Sequence, residues 1–259
     1  MDIQELLSVT FRWLHIGAGV LWIGLLFWFN FVNIPFMATL EGETRKKVVL
    51  ELIPRGLYFF RWAAMYTFVT GVLLLGLVFY MGGLMFVLGV TWSIGAYVML
   101  AVVFLPFGLY DMLAKTLGKD IRVFGAISFV LIGVIVYLMA NWAEFSYRAF
   151  NIHTGALFGA IMTANVWMRI WPGQKKVLAA VQSGSAPDPA IVAQVGQRSR
   201  HNTYLAVPLF WMMVNSHTTI AATGMFGLPA WTNILVVVAV GWLLVSLMYD
   251  KAAKVKGLS

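Results

Sequence analysis

Uninterrupted apolar runs of about 20 residues recur along this 259-residue chain, and they constrain its fold more than any other feature. A run of that length crosses a hydrocarbon core about 30 Å thick as an α-helix. The runs are continuous rather than alternating, so they read as helices and not as the strands of a barrel. Hydrophobic residues make up 61% of the chain and charged residues 11%. That charged share is about half of what a soluble domain carries. The expected fold is therefore all-α: one polytopic membrane helix bundle over residues 1–259, with no length left for a second folded domain.

Seven spans are expected, at Val9–Ile34, Leu57–Met81, Leu84–Leu109, Val123–Asn141, Tyr147–Trp171, Thr203–Met225 and Ala230–Tyr249. Gly82-Gly83 reads as a tight turn. The long connections are Pro35–Gly56 and Pro172–Asn202. The second contains SGSAPDP, a turn-rich stretch, and GQKKVLAAVQSG before it reads as a short surface helix. Basic residues then set the orientation. Arg45, Lys46, Lys47, Arg55, Lys115, Lys119, Arg122, Lys175, Lys176, Arg198, Arg200, Lys251, Lys254 and Lys256 fall on one side, against Arg12 and Arg148 on the other. The positive-inside rule makes the first side cytoplasmic, with the N-terminus outside, the C-terminus inside and residues 172–202 a cytoplasmic loop. A bacterial inner membrane is the expected location.

The net charge of +8 is accounted for by these flanking residues. No basic stripe interleaved with aromatics occurs in a soluble segment, so nucleic acid is not an expected partner. The absence of cysteine excludes disulfides, thiolate clusters and covalently attached c-type haem. The N-terminus MDIQELLSVTFRW lacks a basic n-region, so the first apolar run is expected to be retained as a span.

Four histidines are present, and three map to one expected depth. His15 and His153 lie about two turns into their spans from the outer side. His217 lies about 14 residues past the inner start of its span, roughly 21 Å up and roughly 9 Å below the outer face. Ionisable residues inside a membrane are rare and usually functional. Imidazole ligates haem, copper and zinc. No HxxxH pair and no inward acid accompany these histidines, whereas Gly17, Ala18 and Gly19 follow His15, and Gly155, Ala156, Gly159 and Ala160 follow His153. Small residues beside histidines on separate helices suit a macrocycle. The expected cofactor is one b-type haem with two of His15, His153 and His217 as axial ligands. The third is left to bond a propionate, move a proton, or bind substrate or a second metal or haem. Arg12 and Arg148, at the outer edge, are candidates for the propionates.

On the inner side His201 sits in RSRHN. Arg61 lies inside the apolar run FFRWAAMYTF, a costly position without a partner or water. Asn30, Asn33, Asn165 and Arg169 are expected at the same level. Arg61, Arg200, His201 and Asn202 are candidates for an anion vestibule or a proton path.

RWLHIGAGVLWIG at Arg12–Gly24, HTGALFGAIMTANVW at His153–Trp167 and QRSRHNTYLAVPLFWMMVNSH at Gln197–His217 resemble the N-terminal membrane domain of bacterial membrane-bound urate oxidases, also called urate hydroxylases. PGQKK at Pro172–Lys176 falls in the matching interval. The resemblance implies oxidation of urate to 5-hydroxyisourate, with electrons passed to a cytochrome c domain fused at the C-terminus. No CxxCH follows in this chain, so a separate periplasmic cytochrome c is the expected acceptor. The alternative is a non-catalytic cytochrome b subunit that anchors a larger respiratory or dehydrogenase complex and serves another redox subunit or a quinone. A transporter without haem is the third reading; no inverted repeat supports it.

Overall fold

The computed structural model describes residues 3–118, 120–216, 218, 222–225 and 227–255. Among them the protein is helical, with a single isolated bridge between Phe86 and Phe145 and no strand. In chain order the helices are α1 (Ile3–Phe27), α2 (Ile34–Ala38), α3 (Gly42–Leu74), α4 (Ile94–Phe104), α5 (Phe107–Thr116), α6 (Ile121–Asn141), α7 (Tyr147–Asn165), α8 (Trp171–Gln182), α9 (Pro189–Val214) and α10 (Thr232–Ala252).

Three wide π-helical turns join neighbouring elements: Trp28–Asn33 between α1 and α2, Leu75–Tyr80 at the end of α3, and Val166–Ile170 between α7 and α8. Such turns rotate the side chains that follow and are frequent at functional positions. Each carries a polar residue used below: Asn30, Tyr80 and Arg169.

Four helical stretches are long and apolar enough to cross a membrane: 3–38, 42–80, 121–141 and 232–252. A fifth is counted if α4 and α5, bent by 53° at Pro106, form one broken span. Two of the seven expected spans, those built on α7 and α9, are not among these long apolar stretches. Both are interior. α7 packs against α9, α3, α4 and α6, and most of its residues are buried, among them Asn151, Thr154, Thr163 and Asn165. A helix screened from lipid by its neighbours has no need of an apolar surface.

The connections also differ from expectation. The run Leu84–Ser93 is not helical. It folds over the end of the bundle where α7 begins, held by Ser146 Oγ donating to the Leu84 carbonyl (2.8 Å) and Ser146 N to the Met85 carbonyl (2.9 Å). Gly83 and Gly89 turn it at φ +70° and +86°, values that favour glycine. The expected connection Pro35–Gly56 is mostly helix, because α3 begins at Gly42. Within 172–202 the only break lies between Gln182 and Pro189, at SGSAPD, and GQKK belongs to α8, continuous with α7. The motif RSRHN is interior to α9, whose first turn is capped by Asp188 donating no proton but accepting from Ala190 N at 2.8 Å.

Candidate functional site

Two groups of polar residues stand at opposite ends of α7. Near the start of α7, His153 is fully buried between the rings of Phe79, Tyr80 and Phe145. Its Nδ1 lies 2.7 Å from the Ala149 carbonyl, which can only accept, so Nδ1 carries the proton. Nε2 then accepts from the Tyr80 hydroxyl at 3.0 Å. Both ring nitrogens are engaged. His15 differs. Its Nδ1 donates to the Thr67 carbonyl at 2.8 Å, with the Thr70 hydroxyl at 3.2 Å. Nε2 has no partner among the described residues. The ring lies so close to α3 that a Cβ on Gly71 would stand 2.9 Å from His15 Cε1.

His15 therefore docks at the level of Thr67–Gly71 and His153 at that of Phe79–Tyr80. Phe79 and Tyr80 lie in the π-helical turn beyond the end of α3. No hydrogen-bond partner is common to the two rings. Of the two, His15 has the form of a metal-bound imidazole, one nitrogen donating to a carbonyl and the other without a partner among the described residues. His217 lies outside the described residues. Among those described, no three His, Cys, Asp or Glu side chains are grouped to hold a metal. Arg12 is exposed and Arg148 half-buried, its Nε without a partner.

The group near the end of α7 is denser. Asp111 on α5 accepts from three cations. Arg169 donates Nε to Oδ1 (2.8 Å) and Nη2 to Oδ2 (2.5 Å). Arg198 donates Nη2 to Oδ1 at 2.9 Å, and Lys115 Nζ lies 2.8 Å from Oδ2. Arg198 has no exposed surface, and its Nε and Nη1 lack partners. Its guanidinium stands over the Tyr110 ring at 5.1 Å. Tyr110 in turn bonds His201 Nδ1 (2.8 Å) and accepts from Asn165 Nδ2 (2.9 Å). Asn165 Nδ2 also donates to Asn202 Oδ1 at 2.8 Å, and Asn202 Nδ2 to the Met162 carbonyl at 3.0 Å. The ring of Phe124 stacks on His201 at 4.5 Å. Of the inner candidates, His201 and Asn202 thus meet in one network.

Beside it opens a cleft of about 500 Å³ whose wall includes Asn30, Gln197, Arg200, His201 and Tyr249. That is the size of a small-molecule site. Tyr249 donates to Asn30 Oδ1 at 3.0 Å, and Arg200 lies over the Tyr249 ring at 4.8 Å. Gln197 Nε2 is spent on the carbonyls of Gly118 and Ala114. Arg200 makes no ion pair among the described residues. Arg61 stands apart from this cleft, its guanidinium 3.9 Å over Trp171 and within 6 Å of Tyr58, Trp62 and Trp167.

Residues 40–256 match the family model described as urate oxidase N-terminal. The chain belongs to this family. The match takes in the second and third motifs, the Asp111 cluster and most of the cleft wall. The first motif, with His15, precedes it. No curated protein and no solved structure matches the chain.

Tyr110, Asp111 and Tyr249 were not among the expected site residues. A signal for Asp111 exists: it is the single acid between Glu51 and Asp120. Tyr249 sits in an apolar helix, and nothing local marks it.

Proposed function

We propose that this protein is the membrane-embedded module of a urate-oxidising enzyme. Urate takes up water and releases two protons and two electrons to give 5-hydroxyisourate. Two equivalents of a separate c-type cytochrome accept the electrons. The protein lies in the bacterial inner membrane with its N-terminus outside, as its basic residues favour.

One observation beyond family membership carries the reading: a cleft of about 500 Å³ pairs a free guanidinium, Arg200, with the flat ring of Tyr249 and the imidazole of His201. Urate is a planar anion at neutral pH. Arg200 supplies the compensating charge in a form suited to planar acceptors, and the Tyr249 ring beneath it holds that guanidinium at the cleft wall. The excess of cations over the one carboxylate of Asp111 keeps the region positive. Protons released by the substrate leave through the open side of the cleft.

The test is direct. Purified protein is mixed with oxidised cytochrome c, and reduction is followed at the α-band with and without urate. Urate-dependent reduction that falls at least tenfold in Arg200→Gln is the expected result. Reduction independent of urate, or urate turnover untouched by Arg200→Gln, overturns it.

A further inference from the structure

The hydrogen bonds around His201 run in one direction, and that direction decides what the cleft can recognise. The chain starts at the Met162 carbonyl, which has no proton to give. Asn202 must present Nδ2 to it, which leaves Asn202 Oδ1 facing Asn165. An amide oxygen only accepts, so Asn165 must present Nδ2. The two protons of that Nδ2 go to Asn202 Oδ1 and to the Tyr110 oxygen. The Tyr110 proton then needs an acceptor, and among the described residues His201 Nδ1 at 2.8 Å is the one within reach of it. A neutral imidazole with Nδ1 as acceptor carries its proton on Nε2. His201 is only 5% exposed, and its Nε2 is buried without a partner. A buried donor left without a partner is unfavourable, and a ligand acceptor would relieve it.

We infer that His201 is the specificity-determining donor of the cleft, held in the Nε2–H form by Met162, Asn202, Asn165 and Tyr110, so that the site selects planar ligands presenting a carbonyl or a deprotonated ring nitrogen and rejects those presenting an amino group. This rests on the cleft being the substrate site. It adds what that site reads: Arg200 and His201 offer N–H groups alone. A ligand edge bearing donors would leave both unpaired and place N–H against N–H. Sites that hydrogen-bond their substrate reject the mismatched analogue far more strongly than apolar pockets do. Tyr110, Asn165 and Asn202 are positioning residues. None is required to touch the ligand, and each acts by fixing the next group's polarity.

With only four histidines, selective ¹⁵N-histidine labelling resolves the tautomer in ligand-free protein, and His201→Gln assigns the signal. The expected spectrum has a pyridine-type Nδ1 and a pyrrole-type Nε2. Tyr110→Phe, which removes only the hydroxyl, moves His201 toward a mixture of tautomers and weakens urate binding about tenfold. His201→Gln, which can offer an amide N–H, stays within a few-fold of wild type, whereas His201→Met loses binding. Xanthine binds and adenine does not. A proton on Nδ1 in the wild type, Tyr110→Phe binding as wild type, or adenine binding as tightly as urate overturns the inference. Xanthine binding without urate binding would remove urate as the substrate and leave the donor edge standing. Failure of both oxopurines to bind would sink the inference itself.

Discussion

Arg198 has no exposed surface, and the carboxylate it meets at 2.9 Å, that of Asp111, also carries Arg169 and Lys115. The relationship is unequal. Arg169 and Lys115 are partly exposed, and an exposed ion pair contributes little, so losing Asp111 costs them less. Arg198 has no such outlet.

Asp111→Ala should therefore be far more damaging than its single position suggests, by about 3–5 kcal/mol, the cost of stranding a buried charge. Arg198→Met in the same chain should recover much of the loss, because the stranded charge goes with it. Denaturant unfolding of the purified protein in micelles checks this. Equal stability of the single and double variants would show that water reaches Arg198.

His15 and Gly71 make a second dependent pair. A methyl group at Gly71 meets the imidazole at 2.9 Å, and the ring has no free direction while Nδ1 is bonded to Thr67. Gly→Ala in a helix is otherwise favourable by up to about 1 kcal/mol. Overpacking costs about 1–3 kcal/mol, so Gly71→Ala should destabilise in the wild type. In a His15→Ala background the same change should become neutral or stabilising. A thermal-unfolding double-mutant cycle reads this sign reversal.

The fold was legible because lipid-facing helices must be apolar along their length, as at 121–141 and 232–252. What escaped were features set by tertiary screening. α7 carries Asn151, Thr154 and Asn165 because neighbours cover it, and an apolar-run criterion misjudges such a helix. Leu84–Ser93 is apolar yet non-helical because Ser146 claims its carbonyls. Of the site, His201, Asn202 and Arg200 were legible as polar residues at a span boundary. Tyr110 was not, since its role depends on which nitrogen of a distant ring it meets.

Arg61 should prove separable from the cleft. Its guanidinium is held by Trp171 and three further rings rather than by a carboxylate. Arg61→Met keeps the stem and removes the charge. It should lower stability by about 1–2 kcal/mol, the range of a desolvated cation–π contact, and leave urate affinity unchanged. Loss of urate affinity in this variant would place Arg61 on the substrate path, as its position in an apolar run suggests.

Haem-loading trials should likewise separate the outer histidines. In a haem-supplemented preparation, a b-type α-band should depend on His15, whose Nε2 is free, and survive His153→Ala, since His153 Nε2 is bonded to Tyr80. Tyr80→Phe removes the hydroxyl that engages His153 and leaves a buried lone pair unpaired, at a cost of about 1–3 kcal/mol. Any haem dependence on His153 should therefore appear first in that background. Reduced-minus-oxidised spectra of wild type, His15→Ala, His153→Ala, Tyr80→Phe and the Tyr80→Phe/His153→Ala double variant decide it. A band lost in His153→Ala and retained in His15→Ala would mean that Tyr80 yields its place to iron and that the outer end rearranges on binding.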